Sequence, residues 1–273
     1  MELASRYVEI ETHKVHYWEG GQGFPVLMMH GVGPGTSIMG NFEPALSALS
    51  DRYHIFATDL IGFGDSARKS TQPYFDVDLW VRQGVALLGL MPDGPVGIAG
   101  HSLGGALALK VAAASNRVTH VLTSSTIGAD YPLNQYLDAF WSLPADRVKL
   151  RAAMADMVFD SAAVSEAMIE GRWNLLAQEG YSDYFESMFA GDRQRFVTAG
   201  VVSDSELKTI NEAKKNVLMI HGTDDKPCPA HLTTEVLGER IPHAAVRLIN
   251  DCGHNLPREY TQHYLDAAFD LYP

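Results

Sequence analysis

Ser102 sits at the centre of Gly100-His101-Ser102-Leu103-Gly104, a Gly-x-Ser-x-Gly spacing that suits a nucleophile at the apex of a tight turn. Such a turn forces strained backbone geometry on its apex, and glycines two positions to either side make room where a Cβ would clash. A serine hydroxyl is a weak nucleophile at neutral pH. It needs a general base, and the base needs a third group to fix its tautomer and stabilise its charged form. His254, in Asn250-Asp251-Cys252-Gly253-His254, is the candidate base. Asp224 and Asp225, in Ile220-His221-Gly222-Thr223-Asp224-Asp225, are the candidates for the third group. Asp225 is preferred, with Asp224 read as a loop residue bonding local N–H groups. A developing oxyanion also needs donors. One is the backbone N–H of Leu103. The other is expected around Val32 and Gly33 in the loop His30-Gly31-Val32-Gly33-Pro34-Gly35. That loop has neither the glycine spacing nor the lysine of a phosphate-binding loop.

The chain holds eleven histidines, and most of them are expected to do other work. His101 adjoins Ser102, but neighbours at an elbow should point in different directions. His221 reads as packed at a strand end, and His13, His16, His120 and His263 as surface or turn residues. The two cysteines, Cys228 and Cys252, read as reduced thiols, since a disulfide framework wants more of them in a shorter chain. The His and acid spacings match no zinc pattern, so neither a metal nor a cofactor is expected.

These side chains need strands and helices to bring them together. Tyr7 to Glu11 and Lys14 to Glu19 read as a hairpin. Short apolar runs at 25–29, 54–58, 95–99, 118–123, 217–220 and 245–249 read as strands. Apolar spacing of three and four predicts helices over 42–50, 77–90, 103–114, 230–240 and 261–271. Strand and helix in alternation imply an α/β fold: a mostly parallel sheet covered on both faces, with reactive groups at the carboxyl ends of its strands. From 130 to 205 no strand is convincing. Helices are predicted over 133–140, 146–159, 164–179 and 184–189, a helical cap inserted into a core of 1–129 and 206–273. Its aromatics Tyr131, Phe140, Trp141 and Trp173 line the cavity or form the cap's own core.

Together, His30-Gly31 with its Gly-rich loop, Gly-x-Ser-x-Gly, the late Asp and the late Gly-His resemble the α/β-hydrolase superfamily over nearly the whole chain, in that superfamily's order of Ser, Asp, His. Three stretches resemble one branch, the meta-cleavage product hydrolases, which split a C–C bond in vinylogous diketo acids. They are His30 to Gly35 followed by Asn41-Phe42; Val158-Phe159-Asp160-Ser161 followed by Glu170-Gly171-Arg172-Trp173; and Asp251 to His254 followed by Glu259. The resemblance implies that Ser102, Asp225 and His254 form a triad, and that Val32 and Leu103 form the oxyanion hole. It also implies that Gly33, Asn41 and Arg172 bind substrate, the last two holding a dienoate carboxylate and its neighbouring oxygen. A guanidinium is a planar, bidentate match for a carboxylate. Read from the residues alone, Arg172 is also open to a solvated role paired with Glu166 or Glu170, and Asn41 to capping the helix ahead of Phe42. The chain departs from the branch at His101, where the family often has Asn, at Asn255, where it has Trp, and at Gly40, where it has a small polar residue.

Length and charge bound the rest. A chain of 273 residues, 46% hydrophobic and 20% charged, suits one large globular domain with an inserted subdomain. A net charge of -12 disfavours nucleic acid and anionic membranes as partners and leaves a small-molecule substrate. Residues 1–6 lack the basic start and apolar run of a signal peptide. No stretch approaches about 18 consecutive apolar residues, so a cytoplasmic protein is expected. A homo-oligomer is left open. Beside C–C hydrolysis stand two other readings: a carboxylesterase or lactonase working through an acyl-serine, and a binding or receptor protein on a hydrolase fold.

Overall fold

Alternate residues of the central strands part into two apolar faces. Leu27, Met29, Ile98, Val121 and Met219 belong to one core, and Val26, Met28, Ala99, Leu122, Leu218 and Ile220 to another. A sheet apolar on both sides must be covered on both sides. The computed structural model, which describes residues 3–273, answers with an eight-stranded sheet in the order β1-β2-β4-β3-β5-β6-β7-β8. Here β1 (Ala4–Ile10) and β2 (His13–Gly20) form the hairpin, and β2 runs antiparallel to β4 (His54–Thr58). From β4 onward all neighbours are parallel: β3 (Pro25–Met29), β5 (Val96–His101), β6 (Val118–Ser124), β7 (Asn216–Gly222) and β8 (Ala245–Ile249).

Helices α1 (Ile38–Ser50), α2 (Val77–Leu88) and α3 (Leu103–Ala114) connect the first parallel strands. Between β6 and β7 the chain is helical: α4 (Gln135–Phe140), α5 (Arg147–Ala155), α6 (Glu166–Leu176), α7 (Tyr181–Met188), α8 (Gln194–Gly200) and α9 (Asp204–Glu212). Then come α10 (Thr234–Arg240), α11 (Leu256–Glu259) and α12 (Thr261–Leu271). Phe42 of α1 and Tyr264 of α12 fill the core on one face, Trp80 of α2 and Leu107 of α3 the core on the other. Among the described residues no helix is long and apolar enough to cross a membrane. Met1 and Glu2, part of the stretch compared above with a signal peptide, lie outside the described residues.

The differences from the sequence-based elements have local causes. Helix α1 starts at Ile38, not at Phe42. Ser37 is its N-cap, accepting from the Gly40 N–H at 3.1 Å, and the Asp59 carboxylate takes the Ile38 N–H at 2.7 Å. Asn41 is therefore inside the first turn and caps nothing. The helix expected over 230–240 is interrupted, because Ala230–Leu232 is a 3-10 turn and Thr233 leaves helical geometry before α10. Helix α9 was not anticipated, although Ser203-Asp204-Ser205-Glu206 carries the S-x-x-E spacing of a capping box. Both halves of that box are formed. The expected boundary at 205 thus cuts the first turn of a helix whose Glu206 meets Lys110 of α3 at 3.0 Å.

The order of strands reverses at β3. The chain goes from β3 outward to β4 and returns to β5 on the other side. A crevice at such a switch point, outside the carboxyl ends of the strands, is where open α/β sheets bind ligands. It sets the loop after β3 against the turn after β5, and the fit is close. A Cβ on Gly104 would lie 2.4 Å from the Met29 carbonyl oxygen, and one on Gly100 would lie 2.0 Å from the Gly104 carbonyl oxygen. Backbone cannot yield as a side-chain tip can. Gly104→Ala is therefore expected to destabilise the fold by about 2–4 kcal/mol, read from urea unfolding. An unchanged midpoint would show that the two loops are not clamped.

Candidate active site

The turn after β5 holds Ser102 at φ 57° and ψ -125°, a strained conformation for a residue with a side chain. Hydrogen bonds on both sides maintain it. The Ser102 N–H donates to Ser124 O at 2.9 Å, and its carbonyl accepts from Gly105 N at 3.0 Å and Ile127 N at 3.2 Å. The side chain makes no capping bond, so the hydroxyl is left for the cavity that Ser102 lines with Gly31, Val32, Asn41, Arg172 and His254. Leu103 opens α3, and its N–H is one of those a helix leaves unpaired at its start. Val32 lines the same cavity from the loop after β3. Gly31 backs onto Ser102 closely enough that a Cβ would lie 2.8 Å from the serine Cβ.

His254 Nδ1 lies 2.7 Å from Asp225 Oδ2. Asp224 is elsewhere, bonded by its own neighbour Thr223 at 2.7 Å. The second carboxylate oxygen of Asp225 accepts the Cys228 N–H at 2.8 Å. With its Nδ1 proton directed at Asp225, His254 keeps the Nε2 lone pair for a hydroxyl proton. Burial pushes the His254 pKa down, but the adjacent Asp225 carboxylate outweighs it and holds the group well above its ordinary value. The neighbouring Cys228 thiol is pushed up by burial and stays protonated, so Asp225 carries the effect. Burial likewise opposes ionisation of Asp225, and the charges and hydrogen bonds of His254 and His221 overcome it, leaving Asp225 depressed. A base must be neutral to accept a proton. The acid limb of kcat/KM is therefore expected above the ordinary histidine value of about 6.5, and Asp225→Asn should move it down. An NMR titration of His254 checks this independently of turnover. A midpoint at or below the ordinary value in the intact protein would contradict it.

Several positioning residues were not anticipated. His221, read from sequence as merely packed, is fully buried with Nε2 2.9 Å from Asp225 Oδ2 and 2.7 Å from Cys228 O. Both partners are acceptors, so Nε2 carries its proton and Asp225 is gripped by two imidazoles. Nothing in the spacing signals this. His16, expected on the surface or in a turn, is instead in β2 and buried, 2.8 Å from Asp59. Asp59 in turn secures the start of α1, which delivers Asn41. Glu259 accepts from Gly253 N at 2.9 Å and Phe159 N at 2.6 Å, tying the His254 loop to the segment after α5. His101 does share the cavity. Its ring centroid is 5.0 Å from that of His254, Nδ1 is 3.2 Å from Ser124 O, and burial with the charge of His254 drives its pKa well down.

Asn41 Oδ1 accepts the Gly31 N–H at 2.9 Å, which shapes the loop and leaves the amide nitrogen as a donor. Arg172 is only 7% exposed, and Glu166 pairs with Arg151 instead. Its Nη1 donates to Pro34 O and Thr36 Oγ1, each at 2.8 Å, and no carboxylate among the described residues pairs with it. Burial, then the charge of Arg258, pushes its pKa down to about 10, so it remains a cation at neutral pH. Gly33 does not line the cavity. It makes room for Phe140, whose ring would lie 2.2 Å from a Cβ there, and Phe140 itself does line it. Trp141 is core, stacked on Phe189, and the Tyr131 hydroxyl donates to Cys228 Sγ at 3.3 Å. Two clusters, Asp225/Cys228/His254 and His16/Asp59/Asp65, have the atom types for a metal. Asp225 and His254 of the first, and His16 and Asp59 of the second, are already engaged in the hydrogen bonds just described.

This arrangement is set on a fold with known relatives. The profile of the alpha/beta hydrolase fold family matches residues 25–258. The chain is 29% identical over 265 residues to the 2-hydroxy-6-oxo-2,4-heptadienoate hydrolase of Pseudomonas putida, covering 97% of this chain and 92% of that one. It is 27% identical over 254 residues to the 2-hydroxymuconate semialdehyde hydrolase of a Pseudomonas species, covering 93% and 88%. A serine-to-alanine variant of the meta-cleavage product hydrolase of Pseudomonas fluorescens, solved with acetates, superposes with a TM-score of 0.90 at 28% identity over 97% and 96% of the two chains. With a serine at the elbow, an imidazole braced by a buried carboxylate, and a family profile that spans most of its length, the chain belongs to the α/β-hydrolase-fold family and is a hydrolase.

Proposed function

We propose that the protein hydrolyses a carbon–carbon bond in a small vinylogous diketo acid, a 2-hydroxy-6-oxo-dienoate. The observation that carries this is Arg172: a buried guanidinium facing the same cavity as Ser102, with no carboxylate among the described residues to neutralise it. A buried charge is costly unless paired, so the cavity favours a substrate that brings a carboxylate. The activities of the relatives named above point to the same substrate class.

In this reading Arg172 and the Asn41 amide hold the carboxylate and the adjoining C2 oxygen. His254 first promotes ketonisation of the dienol, moving a proton from the C2 hydroxyl to C5. The Ser102 hydroxyl, or a water that it helps activate, then adds to the C6 carbonyl. The oxygen that becomes negative is met by the N–H groups of Val32 and Leu103. Cleavage of C5–C6 releases a 2-hydroxydienoate, and the C6 fragment leaves as a carboxylic acid once water has added. Substrate and one water balance the products, so the reaction calls for no cofactor. The helices between β6 and β7 act as the cap that roofs this chemistry and limits substrate size, with Phe140, Met154 and Met157 as its apolar lining. The test is a panel of 2-hydroxy-6-oxo-dienoates against short neutral esters, followed by loss of dienol absorbance and release of acid. Efficient turnover of esters with none of the dienoates would favour the esterase reading instead.

A further inference from the structure

The catalytic cavity holds about 20 Å³, room for about one water and far too little for any dienoate. A second cavity of about 360 Å³ adjoins it, between α1 and α6, and two residues, Met154 and Arg172, belong to the walls of both. One turn of α6 runs from solvent to the shared wall: Ala167 and Gly171 are exposed, Met168 is half-buried and Arg172 is buried. At the other side lies Arg258 of α11, 18% exposed, with Nη1 3.2 Å from Met39 O and Nη2 3.2 Å from the exposed Glu43 carboxylate. The walls of the second cavity thus hold two cations, Arg258, partly solvated and paired with Glu43 of the same wall, and Arg172, dry and shared with the cavity of Ser102.

Gly171 adds an independent observation. A glycine inside a helix is destabilising relative to alanine, and the usual reasons for one are a close neighbour or a positive φ. Gly171 has neither, since a Cβ there would meet nothing within 4 Å. Its effect is to leave the wall of the second cavity open. Of the two shared residues Arg172 is held by Pro34 O and Thr36 Oγ1, whereas Met154 is an unbranched side chain that changes rotamer readily, so a turn of Met154 is the movement that would join the two spaces.

We propose that the cavity between α1 and α6 is a binding vestibule for the carboxylate of an incoming organic anion, which passes from Arg258 to Arg172 as Met154 swings aside. This rests on the reading of an anionic substrate. It is testable apart from the C–C reaction by using two esters with one leaving group, 4-nitrophenyl acetate and the mono-4-nitrophenyl ester of succinic acid. Gly171→Phe, and Gly171→Phe combined with Ala167→Trp, should lower kcat/KM about tenfold for both esters, with the thermal midpoint held. Gly171→Ala should keep activity and raise the midpoint. Arg258→Gln should lower kcat/KM about tenfold for the succinate ester only, and flatten its salt dependence. Ala199→Trp, which fills the separate groove beside Pro73 and Phe196, should change nothing. The vestibule is refuted if the filled double variant keeps its kcat/KM, if Ala199→Trp slows the reaction instead, or if Arg258→Gln treats both esters alike. Failure of the C–C reading has a different signature, namely intact ester kinetics with no dienoate turnover in the unmodified protein.

Discussion

Ser102→Ala is expected to lose at least about 10³-fold in kcat while remaining folded. The serine hydroxyl makes no capping bond, and the backbone strain at φ 57° is fixed by bonds to the Ser102 N–H and carbonyl, which alanine retains. The unfolding midpoint should therefore hardly move. Arg172 and Asn41 are untouched, so a dienoate should still bind, seen as a shift in its dienol spectrum without release of acid. The outcome separates chemistry from recognition. If the variant kept more than about a tenth of its turnover, catalysis would not run through the hydroxyl, and another nucleophile would have to be sought. The receptor reading would gain directly from a variant that retained the physiological task.

Replacing Arg172 by Gln should cost the dienoate about 10²-fold in kcat/KM, corresponding to about 3 kcal/mol for a charge-assisted bond in a dry cavity. A neutral ester should change by no more than about threefold. The contrast between the two substrates carries the argument, because damage to the cavity as a whole would slow both. Arg172→Lys should recover only part of the loss. It restores the charge but not the fork, one arm of which is anchored on Pro34 O and Thr36 Oγ1 at 2.8 Å. Small carboxylates should also raise the thermal midpoint of the unmodified protein, since they bind the folded state alone, and should leave Arg172→Gln unaffected. Equal losses on ester and dienoate would remove the reason for assigning an anionic substrate.

Much of the scaffold was legible in the chain because it is dictated locally. The apolar runs at 25–29, 54–58 and 245–249 are strands at the same bounds. The Gly-x-Ser-x-Gly turn needs only its own glycines, and α3 follows it over the predicted residues. Helix α9 is equally legible in its capping box, Ser203 with Glu206. Helix α8 had no such marker, since Arg193 at its start makes no side-chain cap.

What spacing cannot carry is the identity of a distant partner. Periodicity says that a residue faces inward, not what it meets there. Whether Asp224 or Asp225 braces His254 depends on how the ends of β7 and β8 meet, where a Cβ on Gly222 would strike the Cys252 carbonyl at 2.2 Å. That His221 grips the same carboxylate, that Asp59 secures the helix carrying Asn41, and that Arg172 turns away from Glu166 are all outcomes of chain crossings. The reactive residue types and the turn that exposes a hydroxyl are readable along the chain, because they follow from backbone sterics within a few residues. Which groups converge on that hydroxyl emerges in the folded molecule, because the reversal of strand order at β3 and the packing of α6 over the loop join segments far apart in the chain.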